Sequence, residues 1–301
     1  MYNNPSAGLF NITVTLAPIL LLLATIMGGL TGCDTTAPIP AYIKINETNL
    51  QVDAATQGSA SHYIQTVWLY QNGQSLGAYP IPSEIPILAE GPTELLVQAG
   101  VAHSGANGEL IPYPFYKILT TTPILENGQT TSLTPVFSYI SDINFDLIAD
   151  FEINNVFQVS LGNASLMSLT NTDTLVFEGT RSLQVSLHEA ADTIFEISTL
   201  LGYPVPANVN VPIYLELNYR CDAPFVLLLK AINNAGGEQI VNFQQFVNTK
   251  KEWNKLYIDL TAAVSQVKAA GFPQYKILMG GSLPDTAQHA LFLLDNIKLI
   301  R

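Results

Sequence analysis

Side chains that could perform catalysis are few and scattered in this sequence. Asp150 and Glu152 lie two residues apart and would project from the same face of a strand, a spacing that arises readily by chance. The four histidines show no metal-ligand spacing: His62, His103, His188 and His289. The patterns of nucleophile elbows, phosphate loops and dinucleotide sites are missing from the sequence. We therefore expect no catalytic residue, with a glycoside hydrolase or other hydrolase as the remaining enzymatic alternative.

A different chemistry is indicated at Cys33. This residue ends the sequence Leu30-Thr31-Gly32-Cys33, which follows an apolar run over residues 16–27. The arrangement resembles the lipobox of bacterial lipoproteins. The resemblance implies that residues 1–32 are a signal peptide, that the Cys33 thiol receives diacylglycerol, and that its new amine is acylated with a chain such as palmitate.

Lipidation at Cys33 would anchor the chain to a membrane without spanning it. Each buried CH2 contributes about 0.8 kcal/mol, so two or three acyl chains hold a protein stably where one does not. Residues 33–41 would then form a short tether, which reaches about 3.3 to 3.6 Å per residue at full extension. A spanning helix is the alternative, but it needs about 20 apolar residues, and this run contains Pro18 and ends at Gly28-Gly29.

The composition is that of a folded protein with an acidic surface. Hydrophobic residues make up 48% of the chain and charged residues 12%, which permits a substantial core. The net charge is −12, so nucleic acid is excluded as an electrostatic partner. If Cys33 is lipidated, Cys221 has no disulfide partner, and its apolar surroundings in the sequence predict a buried, inert thiol.

Residues 42–138 are predicted to form a small Ig-like or transthyretin-like β-sandwich. Asn72-Gly73 separates two strand-like runs and supplies the positive φ angles of a tight hairpin turn. In the alternating run over residues 93–101, Leu95, Val97 and Ala99 share one face. Three prolines confine the segment between these runs to an edge or a crossover: Pro80, Pro82 and Pro86.

Residues 139–149 are predicted to link this sandwich to a second domain over residues 150–301. Ile213, Leu215, Leu217 and Tyr219 alternate with polar residues, as in a sandwich strand with one buried face. One helix is predicted over residues 261–270, capped by Thr261 and stopped by Gly271. The fold class is therefore all-β with one short helix.

Four segments of this second domain together resemble the galactose-binding-like jelly rolls found among carbohydrate-binding modules. They are the opening Asp150-Phe151-Glu152, the turn over residues 177–183, the strand over residues 252–260 and the closing Leu293-Leu294-Asp295-Asn296-Ile297. The resemblance covers residues 144–301. It implies a jelly-roll sandwich that acts by binding.

The same resemblance implies a structural calcium ion. Its ligands would be Asp150 or Glu152, Asp295, and backbone carbonyls from Glu178 to Thr180, an oxygen-only set that suits a hard cation. The alternative is that these carboxylates accept only local hydrogen bonds at strand ends. No other cofactor is expected.

The resemblance also raises glycan binding, which in such jelly rolls uses exposed aromatic rings. Tyr203, in the loop Gly202-Tyr203-Pro204, is the best candidate for an exposed ring. Phe243 and Phe246 are predicted to lie inside the sandwich, as are most aromatic residues of this domain. The glycan hypothesis therefore depends on fold analogy.

A short repeated pattern indicates the source of the chain. Four Asp-Thr segments resemble the Asp-Ser/Thr-apolar acceptor used for O-glycosylation of exported Bacteroidota proteins. The resemblance predicts modification at Thr35, Thr174, Thr193 and Thr286. With the lipobox, this pattern resembles an outer-membrane lipoprotein of that phylum. The cell-surface face is favoured over the periplasmic face.

The function that the sequence favours is a non-catalytic, lipid-anchored accessory or scaffold subunit of an outer-membrane protein complex. Its partners would be membrane lipid through Cys33 and a β-barrel or another lipoprotein. A surface glycan-binding lipoprotein is the first alternative.

Overall fold

In this computed structural model, strands with alternating apolar and polar residues form two stacked β-sandwiches. The structure describes Met1 and residues 37–104, 109–208 and 211–301. Residues Pro40–Arg301 form one unit. Cys33, Thr35 and the rest of residues 2–36 lie outside the described residues, so the predicted leader and its lipidation stay predictions. Within the described residues, no helix has the length and apolarity needed to cross a membrane.

The first sandwich has two main sheets over one core. A three-stranded sheet has the order β11-β1-β5, and a second sheet has the order β4-β3-β7-β8 with β9 also paired to β7. Two smaller pairs, β10-β6 and β12-β2, complete it. The strand bounds are β1 Ala41–Ile45, β2 Asn49–Gln51, β3 Thr66–Gln71, β4 Gln74–Pro80, β5 Ser83–Ile87, β6 Gly91–Pro92, β7 Leu95–Ala102, β8 Leu110–Pro112, β9 Leu119–Thr121, β10 Ile124–Leu125, β11 Thr130–Ser132 and β12 Val136–Ser138.

The second sandwich has two six-stranded antiparallel sheets. The first, here called sheet I, has the order β15-β16-β24-β19-β22, with β13 also paired to β24. Sheet II has the order β14-β17-β23-β20-β21, with β18 also paired to β23. The strand bounds are β13 Phe145–Ala149, β14 Phe157–Leu161, β15 Met167–Thr170, β16 Ser182–His188, β17 Ile194–Thr199, β18 Tyr203–Pro204, β19 Tyr214–Cys221, β20 Phe225–Ile232, β21 Glu238–Val247, β22 Lys250–Asp259, β23 Gln274–Ser282 and β24 His289–Ile300.

The predicted all-β sandwich class is confirmed, and local signals account for much of the first sandwich. Asn72 and Gly73 have φ angles of 50° and 76° and connect β3 to β4 as the turn chemistry requires. Leu95, Val97 and Ala99 are buried together in the core. Pro86 lies in β5, which among the described strands pairs only with β1 and so lies at an edge of its sheet.

The helix predicted in the second domain is present, and the described residues contain one further α-helix. A four-residue helix, α1 Ala54–Gln57, lies in the first sandwich and is capped by the Asp53 carboxylate. The predicted helix is α2 Thr261–Ala269, but its N-cap is Leu260, and Thr261 is its first residue. Thr261 Oγ1 instead accepts a hydrogen bond from the backbone N–H of Ile213 at 3.0 Å.

Strand β19 departs from the predicted pattern of one buried face. Ile213, Leu215, Leu217 and Tyr219 do lie in the jelly-roll core. Tyr214 and the intervening polar residues of β19 up to Asn218 are also buried, on the outer face of sheet I. The first sandwich covers this face, which a prediction from one strand could not include.

The connection between the sandwiches is itself structured. Of the residues assigned to a linker, Tyr139 is buried, and Phe145–Ala149 forms β13, which pairs with β24. Each sandwich has its own hydrophobic core. The core of the first sandwich also contains Tyr214, Tyr257 and Ile300, which belong to the second sandwich. The cores therefore meet at sheet I.

Candidate binding cleft between the two sandwiches

A buried carboxylate joins the two sandwiches. Glu216 on β19 is fully buried, and its Oε1 accepts hydrogen bonds from Tyr113 Oη at 2.8 Å and from Tyr139 Oη at 2.9 Å. Lys255 Nζ on β22 lies 3.2 Å from the other carboxylate oxygen, Oε2. Because a buried charge is tolerated only when it is paired and hydrogen-bonded, this cluster holds the first sandwich in one position on sheet I.

A second buried cation reinforces the same contact. Lys298 on β24 is 1% exposed, and its Nζ donates to the carbonyl of Ser59 at 2.6 Å and to Tyr139 Oη at 3.2 Å. Its ammonium also lies 5.0 Å from the centre of the Tyr139 ring. Burial lowers the pKa of Lys298 to about 8.

Tyr257 fixes the edge of this contact and leads to a cleft. Its hydroxyl accepts a hydrogen bond from the backbone N–H of Tyr63 at 2.9 Å, and its carbonyl accepts one from the backbone N–H of Ser104, also at 2.9 Å. These bonds place the segment before β3 and the end of β7 beside β22, the strand that follows the β21–β22 connection. That connection, Asn248-Thr249, passes from sheet II to sheet I at the edge of the jelly roll.

The space enclosed by these elements, here called the cleft, has a volume of about 290 Å³. The first sandwich contributes Tyr63, Gln65, Ala102 and Ser104, and the remaining walls come from β19, β21, β22 and the β21–β22 connection. Ligand sites in proteins typically have volumes of about 300 to 1,000 Å³ and combine apolar walls with a few polar groups. The cleft thus has the size of a site for a small ligand or for one unit of a longer one.

Two exposed aromatic residues belong to the lining of the cleft. Among all Phe, Tyr and Trp side chains of the described residues, the exposed ones are Phe246, at 64%, and Tyr63, at 48%. Both line the cleft, although one comes from each sandwich. On its other side Phe246 borders a shallow groove of about 380 Å³ that includes Gly280 and Gly281.

The polar lining offers both donors and acceptors. It includes three side-chain amides, two hydroxyl side chains of Ser or Thr, and two lysines: Gln65, Asn248, Asn254, Ser104, Thr249, Lys250 and Lys255. Asn254 Nδ2 donates to Tyr219 Oη at 3.4 Å, which orients both side chains. Burial raises the pKa of Tyr219, so this hydroxyl stays protonated at neutral pH.

The cleft is suited to binding rather than to acid–base catalysis. No Asp or Glu belongs to its described lining, whereas glycosidases need two carboxylates across the scissile bond. Within the described ranges, no group of three or more His, Cys, Asp or Glu side chains could hold a metal ion. What the cleft presents is stacking surface and hydrogen-bonding groups.

The residues predicted to bind calcium meet at another corner of the jelly roll, where they take part in local hydrogen bonds. Glu152 accepts from the backbone N–H groups of Thr180 at 2.9 Å and Arg181 at 3.1 Å, and from Thr180 Oγ1 at 2.5 Å. Burial alone would raise the pKa of Glu152, but these hydrogen bonds outweigh burial and lower it. Asp150 Oδ1 accepts from the backbone N–H of Glu152 at 3.2 Å.

The remaining members of this corner are similarly engaged. Asp295 is buried and accepts from Ser182 Oγ at 2.6 Å and from the backbone N–H of Asn296 at 2.8 Å. Burial raises the pKa of Asp295 to about 7. Glu178 accepts from Asn296 Nδ2 at 2.7 Å and from Ser59 Oγ. These carboxylates therefore all accept hydrogen bonds, and calcium binding stays a prediction that a shift of Tm on adding calcium would test.

Tyr203 does not have the exposed ring that was expected of it. It belongs to β18, pairs with Tyr275 on β23, and is 8% exposed. Burial, and to a smaller extent the charge of Asp146, raises the pKa of Tyr203 to about 12. The prediction of an exposed stacking ring at Tyr203 is wrong, because strand pairing holds this loop against the beginning of β23, the central strand of sheet II.

Three of the four predicted O-glycosylation residues lie within the described part of the chain. Thr174, Thr193 and Thr286 are exposed and lie in turns or bends between strands. Such positions are accessible to a modifying enzyme. Their modification stays a prediction.

Phe246 is the site residue that the sequence interpretation missed. It was assigned to the core with Phe243, but residues three apart on a strand point to opposite faces. Phe243 does pack against the core, and Phe246 faces solvent. The spacing of three residues between Phe243 and Phe246 was the sequence signal that their side chains lie on opposite faces. Tyr63 precedes β3 and offered no periodic signal.

Comparisons with known proteins give similarities of fold only. No family model matches the sequence, and no curated protein matches it. Among solved structures, a family 61 carbohydrate-binding module in complex with β-1,4-galactotriose is 15% identical, with 50% of this chain and 90% of that chain covered and a TM-score of 0.31. A family 11 carbohydrate-binding module of a cellulosomal cellulase from Clostridium thermocellum is 12% identical, with 53% and 95% covered and a TM-score of 0.38. At these values the similarity does not assign the chain to a family.

Proposed function

We propose that this protein is a non-catalytic, lipid-anchored glycan-binding protein and that the glycan occupies the cleft. The observation that supports this most strongly is the position of Tyr63 and Phe246. In the described residues, these are the two exposed aromatic side chains, and both face the same cleft from different sandwiches.

The chemistry of a sugar matches this arrangement. One face of a pyranose ring is a patch of C–H groups that packs well on an aromatic ring, while its rim of hydroxyls both donates and accepts hydrogen bonds. Phe246 and Tyr63 supply aromatic surface. Side-chain amides such as those of Asn248 and Asn254 can donate and accept at once, which suits a hydroxyl.

The proposed location follows from Cys33. Its lipobox-like context and the Bacteroidota-type acceptor pattern support an outer-membrane lipoprotein whose folded part lies close to the bilayer. A surface-facing orientation would bring the cleft to glycans outside the cell. Radiolabelled palmitate incorporation into the wild-type chain and into Cys33→Ala tests the anchor directly.

Glycan binding can be tested with the Phe246→Ala variant. We screen the full chain in detergent against an array of oligosaccharides and measure affinity for the best hit by calorimetry. Loss of the Phe246 ring removes stacking surface, at a cost of about 1.5 kcal/mol or tenfold in Kd. Tyr63→Ala should weaken binding in the same direction.

Leu201→Ala is the matched control, because Leu201 is 74% exposed and lies outside the cleft. Its affinity should equal that of the wild type. Failure of the wild type to bind any glycan, or equal binding by the Phe246 and Leu201 variants, would reject the cleft as a glycan site.

An accessory role in an outer-membrane complex is the second candidate. The exposed aliphatic side chains on and beside sheet II offer some support, but they are dispersed. Leu161 and Ile194 lie at one end of the β14–β17 pair, Leu200 and Leu201 follow its other end, and Ile240 lies on β21. A protein interface usually needs one contiguous patch. Stoichiometric co-purification of a β-barrel protein with the tagged chain would raise this candidate above glycan binding.

A further inference from the structure

Two of the four histidines lie directly opposite each other in sheet I. β16 and β24 are antiparallel, and His188 is the register partner of His289 at the end of their pairing. The two residues are 101 positions apart in the sequence, so no spacing motif could indicate the pair. Side chains at directly opposed positions of antiparallel strands are close neighbours on the sheet. The fold therefore brings two imidazoles together.

The register places this pair where cross-strand side chains approach most closely. The backbone N–H of Glu189 donates to the carbonyl of Gln288 at 2.9 Å, so the next pair along the ladder is a hydrogen-bonded one. Hydrogen-bonded and non-hydrogen-bonded pairs alternate in an antiparallel ladder, which makes His188 and His289 a non-hydrogen-bonded pair. The Cβ atoms of such a pair are about 4.5 to 5.5 Å apart. Two imidazoles at this spacing can reach one metal ion, to which each nitrogen would bind at about 2.0 to 2.1 Å.

Both imidazoles lie on the outer face of sheet I. Their neighbours Leu187 and Ala290 belong to the jelly-roll core, and adjacent residues of a strand point to opposite faces. His188 and His289 are both exposed, so the first sandwich leaves this end of sheet I open. The pair is accessible to a metal ion from solvent.

The ring nitrogens of the pair are not used by the fold. Neither imidazole has a hydrogen-bond or ion-pair partner among the described residues. His62, by contrast, has Nδ1 3.0 Å from the carbonyl of Ala60 and Nε2 3.1 Å from the carbonyl of Thr48. A neutral imidazole keeps one nitrogen lone pair that can bind a metal ion. His188 and His289 each present such a nitrogen to solvent.

The surroundings of the pair favour a cation. The segments that carry the two histidines, residues 182–194 and 284–297, contain no Lys or Arg. Glu189 is exposed beside the pair, and the backbone carbonyl of Asp192 accepts from the backbone N–H of His188 at 3.1 Å. With a net charge of −12 on the chain, the local field attracts positive ions.

We propose that His188 and His289 chelate one divalent transition-metal ion of the class that prefers imidazole, namely Cu²⁺, Ni²⁺ or Zn²⁺. Two imidazoles are fewer protein ligands than the three or four of known zinc centres, so water fills the remaining positions. Among these ions Cu²⁺ should bind most tightly. The pair lies outside the lining of the cleft, and the site is independent of glycan binding.

Electron paramagnetic resonance with one equivalent of Cu²⁺ tests the pair directly. The full chain is purified in detergent without a histidine tag, and the wild-type spectrum should show coupling to two imidazole nitrogens. His188→Gln and His289→Gln should each leave one such nitrogen. Each change should also weaken Cu²⁺ binding about tenfold or more, because the second imidazole binds at a high effective concentration. Both side chains are exposed, so the variants should keep the wild-type circular dichroism.

Thermal unfolding gives a second measurement that separates this pair from the predicted calcium site. Zn²⁺ should raise the Tm of the wild type and not that of the double variant His188→Gln with His289→Gln, because an ion bound to the folded chain stabilises it. Ca²⁺ should not displace Cu²⁺ from the pair, since Ca²⁺ takes oxygen ligands.

His62→Gln is the matched control, because it removes one imidazole that the fold already uses. Its Cu²⁺ spectrum and affinity should equal those of the wild type. A wild-type spectrum with fewer than two imidazole nitrogens would overturn the proposal. So would a two-nitrogen spectrum that persists in His188→Gln or His289→Gln.

Discussion

At the scale of single residues, burial decides what each side chain does. Phe246 and Tyr203 are both aromatic residues of sheet II, yet the first is 64% exposed and the second 8%. The difference is which face of the strand each occupies and what packs over it. Residue type alone therefore placed the stacking ring on the wrong residue.

Lys298 should give the protein a pH-dependent stability. Its folded-state pKa is about 8, below the ordinary value of 10.5, because burial disfavours its charge. Between about pH 8 and 10 the folded chain releases a proton that the unfolded chain keeps, so stability rises with pH across this window. Below about pH 8 both states are protonated, and the penalty is constant.

Urea unfolding at pH 7, 8, 9 and 10 would measure this rise, and Lys298→Met should flatten it. Buried tyrosines such as Tyr113 and Tyr257 limit the window at its upper end. Burial raises their pKa values, so above about pH 10 they ionise only in the unfolded chain and stability falls. A slope unchanged in Lys298→Met would contradict this assignment.

At the scale of elements, short turns hold the strands of the jelly roll in register. The turn over Glu178 to Arg181 is held by the Glu152 carboxylate, and Gly179 in that turn has a φ of 71°. A Cβ atom built on Gly179 would lie 2.3 Å from Glu152 Oε1. This glycine is therefore required both by its backbone angle and by the carboxylate above it.

Gly179→Ala should thus lower the free energy of unfolding by more than its backbone strain alone. Gly236→Ala is the matched control, because Gly236 has a φ of 81° and open space where its Cβ would be. We expect about 1 kcal/mol of destabilisation at Gly236 and about 2 to 3 kcal/mol at Gly179, measured by urea unfolding. Equal effects would mean that the Glu152 contact contributes nothing.

At the scale of the whole molecule, the two sandwiches act as one unit. The first sandwich buries the outer face of sheet I through Glu216, Lys255 and Lys298, and the cleft takes walls from both. Because these charges would be exposed or unpaired in either half alone, the halves should unfold together. The cleft exists only when they are joined.

The two tryptophans allow this coupling to be measured, since Trp68 lies in the first sandwich and Trp253 in the second. In Trp253→Phe the remaining fluorescence comes from Trp68 and reports the first sandwich, and in Trp68→Phe it comes from Trp253 and reports the second. In each variant, the urea midpoint measured by fluorescence should equal the midpoint measured by far-UV circular dichroism. Glu216→Ala should lower the free energy of unfolding reported by both tryptophans by about 3 to 5 kcal/mol, because Lys255 is left buried without its partner. Glu47→Ala, at an exposed site, should lower neither. Separate midpoints would show that the sandwiches unfold independently.

The sequence by itself determined the all-β class, the inward faces of β7 and β19, the Asn72-Gly73 turn and the burial of Cys221. These features follow from local periodicity and turn chemistry, which neighbouring residues encode. Only the tertiary structure decided that the outer face of β19 is also buried, that Tyr203 is covered and that Phe246 is open. It alone brought Tyr63 beside Phe246 across 183 residues of sequence. The physical reason is that a strand pattern specifies one buried face, while the cover over its other face comes from distant parts of the chain.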